Sequence, residues 1–132
     1  MVMAPLTAGV HHVGLTVPDL SAATAFFLDV LGFSKVGADD TYPAVFLTDN
    51  TSMITLWQAA AGAAAHDRRS AAGLHHLALR VAGGDAALDG LEATLRAAAG
   101  VEVVFGAQEL KGFGVRHMMV TAAGVRIEFI AA

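Results

Sequence analysis

Apolar and polar positions along the chain fall into two passages with the same pattern. Residues 10–17 read VHHVGLTV and residues 74–81 read LHHLALRV: apolar, two histidines, apolar, small, then Leu-x-Val. Alternation after the second histidine predicts a half-buried strand in each. Val13, Leu15 and Val17 share one face of the first strand, and His12, Gly14 and Thr16 share the other. In the repeat, Leu77, Leu79 and Val81 oppose His76, Ala78 and Arg80.

The period then lengthens to that of a helix. Leu20, Ala23, Phe27 and Leu31 form a stripe behind Asp19 or Ser21, both good N-caps, and Gly32 is placed to close it. Leu88, Leu91 and Leu95 form the second stripe, entered through Gly83-Gly84 with Asp85 as cap. Glu92 and Arg96 brace it outside, and Gly100 ends it. Strand-like stretches follow at 33–38, 43–49 and 52–58, and again at 101–106, 113–121 and 124–130. In the last of these, Val125, Ile127 and Phe129 face the helix, leaving Arg126, Glu128 and Ile130 on the other side.

The pattern predicts one α+β domain over residues 1–132, built from two βαβββ modules with mixed sheets curving around a cup. The modules cover about 9–58 and 74–131. The linker, 59–73, has no strand pattern, though its alanines allow a helical turn.

Composition narrows the chemistry. With 55% hydrophobic residues there is ample material for one core. No apolar run is long and unbroken enough to span a bilayer, and no charged leader precedes Lys35, so a cytoplasmic location without membrane attachment is expected. A net charge of −4 argues against a nucleic-acid partner. Cysteine is absent, which excludes disulfides and thiolate ligands. A metal site would use imidazole and carboxylate, suiting divalent Fe, Mn, Zn, Ni or Co.

Glu128 lies in the apolar stretch Ile127-Glu128-Phe129-Ile130, where an unpaired carboxylate is costly and a metal would compensate it. Gly14 and Ala78, next to the histidines on the cup face, leave room for a ligand. Trp57 shares parity with Thr55; by parity Arg126 lines the cup, as does one of the adjacent Met118 and Met119, and Met118 is taken here. Gln58 points away from it. His117 suits a supporting or acid–base role, or that of an ordinary strand histidine. His11 and His75 fall on the opposite face as strand-end or solvent residues, and His66 is a solvated linker residue. Arg80 and Arg126 could each receive a carboxylate or phosphate, or sit at strand ends in water.

The segments HHVGLTVPD, FFLDVLGF, HHLALRV and GVRIEFI, in this order, resemble the vicinal oxygen chelate superfamily, also called the glyoxalase/bleomycin resistance protein/dioxygenase superfamily. The resemblance implies paired βαβββ modules around a cup, a frequent divalent metal, and a homodimer. Its metal positions fall on His12, His76 and Glu128. A fourth, usually Glu, Gln or His, falls on Thr55, a departure from a typical glyoxalase I. Two expectations follow. One is a metal-dependent enzyme acting on a small oxygen-bearing substrate (a lyase, isomerase, ring-opening dioxygenase or transferase), with Glu128 and His117 as catalytic groups. The other is a metal-free cup that binds a small molecule, as in bleomycin resistance, with Trp57, Phe46 and a methionine as its walls.

Overall fold

The computed structural model describes residues 2–132. Strand β1 (Val13–Val17) leads into helix α1 (Leu20–Ala25), then β2 (Ser34–Asp39), β3 (Ala44–Thr48) and β4 (Met53–Gln58). The second set is β5 (Leu77–Val81), α2 (Gly84–Ala97), β6 (Val101–Leu110), β7 (Val115–Ala122) and β8 (Val125–Ala131). The strands form two four-stranded sheets of matching order, β1-β4-β3-β2 and β5-β8-β7-β6. In each, the first and last strands of the set run parallel and the rest are antiparallel. Each set is thus β-α-β-β-β, the α+β arrangement that the alternation predicts.

Local chemistry explains where the elements begin. Asp19 caps α1, its Oδ1 accepting the Ala22 N–H at 3.0 Å. The helix then widens into a π-helical turn over Phe26–Val30, with the Leu31 N–H reaching back to the Phe26 carbonyl. Phe26 and Phe27 are both buried there, and Phe27 meets Phe33 edge-on at 5.1 Å. The sequence pattern gives no sign of this widening. Helix α2 departs from expectation at its start. Its N-cap is Gly83, at φ 100°, without a side-chain cap, and Asp85 lies inside the first turn. Asp85 is two residues past the N-cap, too late to turn its carboxylate back onto the free N–H groups as a cap does.

The faces predicted to meet the helices do so. Leu15, Val17, Leu47, Ile54, Leu56, Leu88, Leu95, Ile127 and Phe129 are buried in one core cluster that draws on both modules. Each such large side chain contributes about 1.5–3 kcal/mol by leaving water. Strand β6 runs four residues beyond its expected end and carries register breaks between Val103 and Phe105 and between Phe105 and Gln108. Glu92 of α2 holds this irregular stretch, accepting the Ala107 N–H at 2.7 Å while pairing with Arg96 at 2.8 Å.

The linker forms turns and lies exposed, without a helix. His66 pins it, its Nε2 lying 3.0 Å from the Leu74 carbonyl. The modules touch where the two-residue turn Ala123–Gly124 joins β7 to β8. A Cβ on Gly124 would lie 2.7 Å from Pro18 Cδ, and its φ of +80° also favours glycine. No helix among the described residues is long and apolar enough to cross a membrane.

Candidate functional site

The face of the second sheet that turns away from α2 carries the densest group of titratable side chains. β5 and β8 pair in parallel with Ala78 opposite Glu128, and β7 and β8 pair with Met119 opposite Glu128. This register puts His76, Glu128 and His117 side by side. Glu128 is buried at 8% exposure and its carboxylate is divided between two imidazoles. His117 Nδ1 stands 2.6 Å from Oε2, and His76 Nε2 stands 3.3 Å from Oε1. His117 is itself buried, with the Phe105 ring 4.8 Å away. A buried carboxylate needs such partners, because its desolvation is otherwise uncompensated.

His11 and His75 are exposed at the strand starts, as expected, and each also meets its neighbouring histidine. His75 Nδ1 lies 2.8 Å from His76 Nδ1, and His11 Nδ1 lies 2.9 Å from His12 Nδ1. Both ring pairs are edge-on. His11 and His75 therefore hold the inner nitrogen of their neighbours, leaving the outer nitrogen, Nε2, of His76 to face Glu128 and that of His12 open to another partner. His75 is held below its usual pKa, first by desolvation and then by His76 and the nearby arginines.

His12 does not join His76 and Glu128 within one chain. Among the described residues no three His, Cys, Asp or Glu side chains are placed to hold one ion. The pair that does converge suits a metal as a partial set. Ligand atoms at about 2.0–2.2 Å from one ion and adjacent in its shell lie some 3 Å apart, close to the His76–Glu128 separation.

The corresponding face of the first sheet is aromatic. Gly14 pairs with Thr55, as Ala78 pairs with Glu128, so Thr55 is the first module's counterpart of Glu128. Thr55 is buried and its Oγ1 accepts the Trp57 Nε1–H at 2.9 Å. Trp57 meets Tyr42 edge-on at 5.1 Å and Phe46 at 6.0 Å. Tyr42 has no counterpart in the sequence reading; its place in a turn between β2 and β3 hides it from strand parity. Gln58 turns the other way, accepting the Leu20 N–H and donating to the Pro18 carbonyl, and so ties β4 to the start of α1.

Met118 is a correction. It pairs with Phe129, has no exposure and lies in the core. Met119, opposite Glu128, is the methionine on the site face. Arg126 is on that face beside Thr121, and its Nε is buried without a partner. Arg80 is exposed.

Residues 9–129 match the sequence model of the Glyoxalase/Bleomycin resistance protein/Dioxygenase superfamily. The chain belongs to this superfamily. Solved structures agree on the superfamily fold. A glyoxylase/bleomycin resistance protein/dioxygenase domain from Frankia sp. EAN1pec is 26% identical with a TM-score of 0.80, over 94% of this chain and 91% of that one. The fosfomycin resistance protein FosX from Listeria monocytogenes is 18% identical with a TM-score of 0.74, over 96% and 95%. Lactoylglutathione lyase from Agrobacterium tumefaciens is 21% identical with a TM-score of 0.72, over 96% and 95%. The latter two likenesses, at these identities, concern the superfamily fold alone. No curated protein matches the chain significantly.

Proposed function

We propose that this superfamily member is a divalent-metal-dependent enzyme acting on a small oxygen-bearing substrate. The observation that carries the reading is the buried Glu128 carboxylate with His76 Nε2 at 3.3 Å and His117 Nδ1 at 2.6 Å. His76 and Glu128 would hold the ion in one chain. His12 would come from a second copy, because it is exposed, keeps its Nε2 free, and follows an exposed apolar segment containing Val2, Met3, Leu6 and Val10. Such a segment is a surface that a partner copy covers. The homodimer is therefore part of the proposal. When bound, the ion would polarise an oxygen of the substrate as a Lewis acid.

The chain's own groups divide the remaining work. His117 donates Nδ1–H to Glu128 Oε2, which orients the carboxylate and leaves Oε1 for the ligand position. His75 and His11 fix the rings of His76 and His12. Glu128 and His117 are the candidate proton carriers, since Thr55 has no basic group to offer. Gly14, Thr16 and Ala78 are exposed and keep side-chain bulk out of the space in front of the sheets.

Elemental analysis of purified protein after reconstitution tests the reading. Wild type should retain about one divalent ion per chain, with retention falling at least about tenfold in His76→Ala, Glu128→Ala and His12→Ala. Equal retention by wild type and variants would overturn it. A second reading, a metal-free binding cup, is favoured by the Tyr42–Trp57–Phe46 cluster, which offers an apolar wall to a flat compound.

A further inference from the structure

A cleft of about 940 Å³ opens between the linker, the end of β1 and the β7–β8 turn, and its lining includes Thr16, His66, Arg68, His75, Thr121 and Arg126. Its charge is at odds with the protein, which is acidic overall at −4. Among the described residues, neither Arg68, Arg69 nor Arg126 forms an ion pair. The one acid in the lining, Asp67, is engaged locally, accepting the Arg69 N–H at 2.9 Å. Arg126 keeps a buried Nε with no partner.

Unpaired guanidiniums gathered at a cleft repel one another and leave donors unsatisfied. An oxyanion relieves both conditions, and arginine's planar fork is suited to it. We infer that this cleft is a binding subsite for the oxyanion of a small organic acid, a carboxylate or phosphoryl group, held by Arg126 and Arg68, with the neighbouring Arg69 adding positive charge. Arg126 pairs with Thr121 of β7 and stands two residues before Glu128 on β8, on the same face. An acid anchored there would point the rest of its skeleton at the Glu128 site. In this way the inference deepens the proposed function, and it rests on that reading only for the identity of the bound group as substrate.

The test uses metal-stripped, full-length protein at low ionic strength, with inorganic phosphate and malonate as separate probes. ¹H–¹⁵N spectra follow the backbone amides of Thr121, Gly124 and Val125, which line the cleft, during titration, together with the Arg126 Nε–H in the proteins that keep it. A saturable shift is expected with at least one probe, weakened about tenfold or more in Arg126→Gln and several-fold in the exposed double variant Arg68→Gln/Arg69→Gln. The probe that binds more tightly reports whether the subsite prefers a phosphoryl or a carboxylate group. The double variant keeps the test decisive if Arg126→Gln fails to fold. No saturable shift at tens of millimolar, or equal binding by wild type and the double variant, overturns the subsite. Binding that appears only after metal is added also overturns it and leaves the metal reading standing. Anion binding by a protein that never retains metal does the reverse.

Discussion

The two modules share a strand order and a doubled histidine yet carry opposite chemistry on matching faces. In the second, the position facing the small residue of the opening strand is Glu128, set between His76 and His117. In the first, that position is Thr55, whose hydroxyl is taken up by Trp57 within an aromatic group. Glu128 and Thr55 are both satisfied, one by two imidazoles and the other by a single bond to Trp57 amid ring contacts. A duplicated scaffold can therefore keep its backbone while one half holds charge and the other holds apolar surface. What must match is only the residue that neighbours each polar atom.

The comparison breaks most directly at Thr55. Thr55→Glu puts a carboxylate into a buried position where no imidazole awaits it and displaces the Thr55 hydroxyl that accepts the Trp57 Nε1–H. The expected cost is about 3 kcal/mol in metal-free protein, read by denaturant unfolding. Added divalent ion should recover part of it if His12 has an ion to share. A Thr55→Glu protein as stable as wild type without metal would show that the two faces are interchangeable.

The helices sharpen the contrast at a smaller scale. α1 has a side-chain cap and α2 does not. Asp19→Ala should cost about 1 kcal/mol, and Asp85→Ala less than about 0.5 kcal/mol, measured by thermal or chemical unfolding.

The smallest effect is in pH. Glu92 is held below its usual carboxylate pKa of 4.5, first by the Ala107 N–H bond and then by Arg96. A depressed folded-state value means its stabilisation is complete above about pH 4.5 and fades as pH falls through the folded value. Glu92→Gln should flatten this part of the acid unfolding profile, while neutral-pH stability changes little. An acid limb unchanged by the substitution would remove Glu92 from the account of the second module.

The repeated His-His passage and period-two alternation were enough to read the order of strands and helices along the chain and the helix-facing core, because one face of each strand must meet a helix. The same alternation left His11 and His75 as exposed strand-end residues, as they are, but gave no sign of their contacts with His12 and His76. They precede the first residues of β1 and β5, Val13 and Leu77, so the backbone there is not held in a pleat and adjacent rings can turn toward each other. Met118 was misassigned for a different reason. Which of two neighbouring methionines faces Glu128 depends on the length of the turn at Ala123–Gly124, and this fixes Met119 opposite Glu128. The separation of His12 from the other two candidate ligands was not legible at all, since a linear pattern says nothing about how two modules are arranged in space.

The seam between the halves has its own consequence at Gly124, where a methyl group would collide with the ring of Pro18. A single hydrogen atom sets how closely the two halves can approach. Surface residues on either half can drift freely, but any larger group at this point would wedge the halves apart and change the aperture between them.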